Sequence, residues 1–489
     1  MLSRFFIDRP IFAGVISILI VIAGAVAVFT LPVAQYPDIT PPVVQVSASY
    51  PGANAQVLAD TVAAPIEQEV NGVENMLYMD SKSSSDGSYV LSVTFELGTN
   101  VDMATVLTQN RVDRAKPKLP QEVQRQGVST KKVSSAMVSV VSVYSPDNRY
   151  DDLFIANYAV IRIKDELSRI RGVGDVAMYP SKDYAMRIWL DPNKLESRGL
   201  TTNDVVSALQ EQNVQVAAGQ IGVEPAPKGQ LFQLNVETLG RLNDAEQFAD
   251  IVVKTGEGGR VTQVKDVGRV ELGGKSYATS SKLNGKPAAT IIVYQAPGAN
   301  LLQVADQVSS TMARLKKDFP EGLDYKFIYE ISDFIRSSIH EVVKTLLEAF
   351  ILVFLVVFVF LQDWRATLIP AITIPVSLIG TFAVMTLMGF SINMVTLFGL
   401  VLAIGIVVDD AIVVVENVER NMREFELGVR EAAIRSMNEI TGAIVGITLV
   451  LMAVFVPAAF LPGITGELYR QFSLTIAVTT FFSALNALT

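Results

Sequence analysis

The stretch IFAGVISILIVIAGAVAVFTL, residues 11–31, decides the class of this chain. It holds 21 residues without a charge, enough to cross a bilayer as a helix. A cleaved signal peptide usually has an apolar core of only about 7–15 residues, so the stretch reads as an uncleaved anchor. No comparable run follows for some 300 residues. Five more then arrive close together, near 341–361, 366–388, 391–415, 440–462 and 472–489. The last runs into Thr489 without a flanking charge or cap, which reads as a chain cut within its sixth span.

Composition agrees. Half of the 489 residues are hydrophobic, 18% are charged, and mean hydropathy is +0.36. The net charge of -9 offers no basic surface for nucleic acid. There is no cysteine, which excludes disulfides and thiol chemistry, and His340 is the single histidine, which argues against a histidine metal site or triad. Basic residues gather on one side of the spans: Arg4 and Arg9 before the first, Arg365 between the second and third, and Arg420, Arg423, Arg430 and Arg435 between the fourth and fifth. The loops at 389–390 and 462–470 carry almost none. The positive-inside rule therefore puts the N-terminus in the cytoplasm and the long insertion outside, in the periplasm if the cell is Gram-negative.

The insertion reads as mixed α/β. The run 43–49 alternates like a strand, a helical pattern follows from Asn54 to about Val70, 76–95 forms a hairpin around Asp86-Gly87, and a second helical pattern begins near Val101. This is a split βαβ order. It recurs as strand 137–144, helix 152–169, strand 174–180, strands 277–283 and 288–295, helix 300–316 and strand 323–330, interrupted by a further piece over 184 to about 273. The fold class expected is a polytopic α-helical membrane protein carrying a large α+β insertion with ferredoxin-like units.

Within the spans, GIVVDDAIVVVENVER, 405–420, sets Asp409 beside Asp410 inside an apolar run. An ionised Asp at a membrane helix centre costs about 2.5–3.5 kcal/mol on insertion scales, so the pair must be compensated or partly protonated. Adjacent helical positions point about 100° apart, so the two carboxyls meet different neighbours and suit successive stations for a proton. No Lys or Arg lies in the first, third or fifth span, and Lys344 sits near the outer end of the second, within reach of Glu348 four residues on. The missing cation is expected on helices beyond residue 489 or on another chain. The competing reading is a static buried ion pair that fixes packing. For Glu348 an interfacial charge competes with a part in proton access.

The motifs FFIDRPIF (5–12), LPVAQYPDITPP (31–42), SYPGA (49–53), LPQEVQRQGV (119–128), GVGDV (172–176), SIHEVVKTL (338–346), GIVVDDAIVVVENVER (405–420) and YRQFSLTIA (469–477) resemble the resistance–nodulation–division multidrug efflux pumps, in particular the hydrophobe/amphiphile exporters of the AcrB and MexF type. The resemblance runs along the whole chain and implies the N-terminal half of such a pump. It implies a first membrane helix at 1–38, a first porter subdomain at 39–135, a second at 136–183 and 276–331, a docking-domain portion with a protruding arm at 184–275, and five further membrane helices at 332–489. It implies Asp409, Asp410 and Glu348 as a proton relay, with the lysine partner in the other half. It implies a substrate pocket wall at Ser135, Met137, Val140, Tyr179, Ser276, Thr279 and Tyr329, with Met137 in place of the Phe of some members. Residues 214–238 would be an arm reaching into an adjacent protomer; the sequence by itself reads as an exposed hairpin.

Also implied are a homotrimer in the inner membrane of a Gram-negative cell, a periplasmic adaptor and an outer-membrane channel as partners, amphiphilic substrates, and a proton gradient in place of any cofactor. A metal-ion exporter of the same superfamily would need clustered Met or carboxylate ligands. Met76, Met79, Met137, Met178 and Met186 are scattered. A membrane receptor or export auxiliary would explain six spans but not the match across the insertion. A hydrolytic enzyme has no nucleophile–base constellation to support it.

Overall fold

The structure is a computed structural model that describes all residues except 1, 38, 134, 135, 181, 216–218, 222, 224–231, 237–239, 257, 258, 278 and 297. Among the described residues six helices are long and apolar enough to span a bilayer: Pro10–Thr30, Ile331–Leu361, Trp364–Leu387, Met394–Phe425, Val429–Ala458 and Gly463–Leu488. They are called the first to sixth helices below. Each overlaps most of the apolar run expected of it, but the second begins about ten residues earlier, the fourth begins three residues later and the fifth ends four residues sooner than its run, and the fourth and fifth extend toward each other through charged sequence. An apolar run marks only the part immersed in lipid; these helices continue past it as amphipathic or charged segments. The chain is a multi-pass membrane protein joined to a sheet-rich α/β region.

That region contains two sheets of the same design. In the first, the strands run in the order 76–83, 88–95, 43–49, 129–133, all antiparallel. In the second the order is 173–179, 286–295, 137–144, 324–330, again antiparallel, with 281–283 extending the outer edge beside 173–179. Numbering the four main strands of each sheet along the chain gives 2-3-1-4 both times. The helices correspond too. Asn54 and Asp151 each accept a backbone N–H at 2.8 Å to cap the first helix of their unit, and both helices contain a π-helical turn, Ala59–Ala63 and Ala159–Lys164. Asn100 and Asn300 cap the second helices, Val101–Ala115 and Leu301–Leu315. Side-chain oxygens at these caps satisfy helix N–H groups that have no partner within the helix.

Each unit closes over its own apolar core. Val44, Val46, Leu91, Val93 and Phe95 of the first sheet pack on Leu58, Val62, Ile66 and Val112 of its helices. Val141, Val143, Met178, Ile291 and Val293 of the second pack on Ile155, Ile163, Leu167, Val308 and Met312. The segment after strand 173–179 leaves the second sheet along Tyr184–Leu190 and returns along Gly268–Gly274, which pair antiparallel. Between them a third core gathers Leu195, Leu200, Val205, Phe248, Ile251, Val264 and Val267. Within the arm, Gln220–Ile221 pair with Leu234–Asn235; its tip lies outside the described residues.

Two junctions tie the α/β region to the bundle. Strand Asp324–Glu330 passes directly into the second helix at Ile331. Residues 32–35, after the first helix, are held by the loop between the third and fourth: Ile392 N–H donates to Pro32 O (2.9 Å), Ala34 N–H to Ile392 O (3.1 Å) and Met394 N–H to Gln35 O (3.2 Å). Leu301 N–H, at the start of a second-unit helix, donates to Val33 O (3.1 Å). Burial (desolvation) first, then the carboxylates of Asp333 and Asp306, holds Glu330 above the usual carboxylate range.

Candidate functional site

The fourth and sixth helices are the inner pair of the bundle. Half of each apolar window is buried, against 11% for the first and second helices. Small residues allow this close approach. A Cβ at Gly399 would lie 3.3 Å from Phe472 O, and one at Gly24 would lie 1.9 Å from Ile379 O, where the first helix crosses the third.

The aspartate pair sits on the fourth helix with its members in opposite environments. Asp410 is 6% exposed and faces the sixth helix. Ser483 Oγ lies 2.8 Å from Asp410 Oδ2 and 2.9 Å from the carbonyl oxygen of Val407, one turn back. Val407, Val408 and Ala411 around it are buried. Among the described residues the one charged group that acts on Asp410 is Asp409. Asp409 itself is exposed. It lies in a stripe of exposed positions, Phe398, Leu402, Gly405, Asp409, Val413, Glu416 and Arg420, at steps of three and four residues along one face. The expectation that the two carboxyls meet different surroundings therefore has a definite form. One is sealed into the bundle, and the other opens onto an unpacked helix face.

A polar seam, uncharged and so without the mark that a carboxylate leaves in an apolar run, lies on the sixth helix. Gln471, Thr475, Thr479 and Ser483 recur every four residues and are all buried. At one end Asn393 Nδ2 donates to Gln471 Oε1 (2.8 Å). Further along, the hydroxyls of Thr381 and Thr479 are 2.9 Å apart. Past Ser483, Asn486 Nδ2 donates to Ser377 Oγ (3.1 Å). Thr475 and Thr479 hydroxyls also donate to the carbonyls four residues back. The seam joins the sixth helix to the third and fourth by hydrogen bonds, and it includes Asp410.

Glu348 lies on the second helix and is exposed, 4.0 Å from Lys344 Nζ, which also lies 3.5 Å from Glu341. The pairing of Lys344 with Glu348 is present at the outer limit of an ion pair. No hydrogen bond or ion pair joins Glu348 to the aspartates among the described residues.

The expected pocket wall falls on the second sheet and the strands that leave it. Val140 and Tyr329 are register partners on adjacent strands, and Met137 opens the strand to which Val140 belongs. Tyr179 ends strand 173–179 opposite Thr290 and is 56% exposed. None of these four side chains joins the buried core beneath the helices. Ser276 and Thr279 lie on the returning connection and are exposed. Ser135 is outside the described residues. The sheet thus gathers Met137, Val140, Tyr179 and Tyr329, with Ser276 and Thr279 on its margin. Two clefts of about 570 and 610 Å³ occur elsewhere and are lined by none of them. Among the described residues no group of three or more His, Cys, Asp or Glu side chains is arranged to hold a metal ion.

A bundle of six helices able to span a membrane, with a buried carboxyl at its inner helix pair and attached to a pair of split βαβ units, defines a polytopic α-helical membrane protein with an α/β region. Residues 2–489 match the AcrB/AcrD/AcrF family, and the chain belongs to that family, of resistance–nodulation–division type. It is 50% identical over 489 residues to the multidrug export protein AcrF of Escherichia coli K12, covering all of this chain and 47% of that protein. It is 47% identical to the multidrug resistance protein MdtF of the same strain, and 48% identical to the toluene efflux pump membrane transporter TtgB of Pseudomonas putida, covering all of this chain and 47% and 46% of those proteins. The chain therefore spans about half the length of the relatives it matches, which are named as export, resistance and efflux proteins.

Proposed function

We propose that this chain is the N-terminal half of a proton-driven exporter of amphiphilic small molecules. The observation that carries the reading is Asp410, a carboxyl buried between two inner membrane helices beside a second, exposed carboxyl, in a chain half identical to a multidrug exporter. A carboxyl at such depth is a functional group by default. In this reading Asp409 and Asp410 take up and release protons, and a cation from helices of the other half meets the exposed stripe around Asp409. Glu348 assists proton access. Ser135, Met137, Val140, Tyr179, Ser276, Thr279 and Tyr329 form one wall of a pocket completed by the other half; Met137 and the tyrosines give it apolar, adaptable surface.

The direct passage of strand 324–330 into the second helix gives a mechanical link from bundle to sheet. The working assembly would be a trimer in the inner membrane of a Gram-negative cell. The α/β region would face the periplasm and meet an adaptor and an outer-membrane channel. The proton gradient replaces a cofactor, and no enzymatic step is involved. One charge crossing 100 mV supplies about 2.3 kcal/mol, so steep export gradients need more than one proton or an added pH difference.

The test uses the full-length protein in proteoliposomes with an imposed pH gradient and a fluorescent amphiphilic dye. Export is expected while the gradient lasts and should stop when a protonophore collapses it. The 489-residue chain alone is expected to export nothing. Dye export that persists without any gradient would remove the proton-driven reading.

A further inference from the structure

We propose that Ser483 reads the charge state of Asp410 and transmits it to the contact between the fourth and sixth helices, acting as a positioning residue. The inference rests on the reading of Asp410 as a proton carrier. A serine hydroxyl has a single proton to donate and can accept in return. Ser483 Oγ lies within hydrogen-bond distance of two oxygens, Asp410 Oδ2 at 2.8 Å and Val407 O at 2.9 Å. The carbonyl only accepts, and an ionised carboxylate only accepts. With Asp410 ionised, the single hydroxyl proton serves one of them and leaves the other contact without a donor. With Asp410 protonated, both are made: the acid O–H donates to Ser483 Oγ, and the serine O–H donates to Val407 O. Protonation adds one O–H bond at Asp410 and turns the Ser483 proton from carboxylate to carbonyl; no covalent bond at serine breaks.

The surroundings make this change felt along the helix. Ser483 is 2% exposed and sits in the seam whose neighbours, Thr479 with Thr381 and Asn486 with Ser377, hold the sixth helix to the third by hydrogen bonds. Directional bonds of this kind favour discrete arrangements over gradual sliding. The other ionisable groups of the packed helices lie apart from this contact. Besides Asp409, they are Asp333, Arg336, His340, Glu341, Lys344 and Glu348 on the second helix, Arg365 at the start of the third, Glu416, Glu419, Arg420, Arg423 and Glu424 toward the end of the fourth, Arg430, Glu431, Arg435 and Glu439 toward the start of the fifth, and Glu467, Tyr469 and Arg470 at the start of the sixth. Among the described residues only Asp409 acts on Asp410 by charge.

The experiment compares wild type, Ser483→Ala, Ser483→Thr and Asp410→Asn in the full-length protein. Gradient-driven dye export is followed against pH in proteoliposomes. The infrared carbonyl band of the protonated Asp410 is assigned by its loss in Asp410→Asn. Loss of a hydrogen bond to a charged group should displace the export midpoint of Ser483→Ala by about one pH unit and shift the acid band. Ser483→Thr should restore both. A Ser483→Ala protein with the wild-type midpoint and band, slowed equally at every pH, would overturn the proposal and leave the serine as packing. Normal export by Asp410→Asn would overturn the proton-carrier reading itself, a result distinct from any behaviour of the serine variants.

Discussion

The crossing of the first and third helices should be an unforgiving helix-to-helix contact, and two glycines of one helix test it. At Gly24 an added Cβ would stand 1.9 Å from the backbone oxygen of Ile379 and 2.5 Å from its carbonyl carbon. Ordinary contact begins at 3.4 Å, and the obstacle is backbone, which no rotamer change removes. Gly24→Ala must therefore push the two helices apart by roughly 1.5 Å or leave them strained, an overpacking cost of about 1–3 kcal/mol. At Gly14 the same methyl meets nothing within 4 Å. There the alanine should be neutral or stabilising by up to about 1 kcal/mol through its better helix propensity. The assay is thermal unfolding of the full-length protein in one detergent, with the fraction remaining monodisperse measured after heating. Gly24→Ala should lose its fold at a lower temperature than wild type, and Gly14→Ala should not. Equal behaviour of the two variants would refute the idea that close backbone approach holds this crossing.

Two further predictions concern pH in the α/β region. Burial and the nearby Glu67 carboxylate hold the Tyr89 hydroxyl far above its ordinary value of about 10. A raised value means that its contribution to stability is complete below the unfolded tyrosine value and is lost as pH rises through the folded one. Subtracting the tyrosinate titration of Tyr89→Phe from that of wild type should leave no signal near pH 10 until unfolding; a Tyr89 signal at about pH 10 in the folded protein would contradict its burial. Glu330 is likewise raised by burial and by Asp333 and Asp306. Its contribution is complete below the unfolded carboxyl value and is lost as pH rises through the higher folded value, so Glu330→Gln should stabilise the strand-to-helix junction at neutral pH. Hydrogen exchange at residues 324–340 should slow in that variant at pH 7, and the difference should vanish as the pH falls. Faster exchange at pH 7 would oppose it.

Much of the architecture was legible because each physical rule leaves a long mark. A bilayer demands about 20 apolar residues per span, and all six were found. The alternating run 43–49 and the apolar run 137–144 are strands with the limits expected. Short or polar elements were not legible. Strand 129–133, STKKV, carries two lysines and no alternating apolar pattern, and only its pairing with 43–49 makes it a strand. The expected strand 277–283 is reduced to 281–283, where Tyr277 is occupied by donation from Gly274 N–H to its hydroxyl (2.8 Å). The aspartate pair stood out since charge in an apolar run is costly. Ser483 did not, because serine is ordinary in a membrane helix and gains meaning only from standing opposite Asp410. The exposed stripe around Asp409 could be counted in the sequence, but which face of the fourth helix is covered depends on how its neighbours pack.

The central claim is that Asp410 couples proton movement to export. The most direct test records luminal pH and dye export together in proteoliposomes of full-length wild type and Asp410→Asn at equal incorporation, with dye binding measured separately. The account predicts that the variant binds dye as wild type does, while gradient-driven export and the accompanying proton flux are both lost. Export and proton flux at wild-type levels in Asp410→Asn would contradict it and return the buried carboxyl to a packing role.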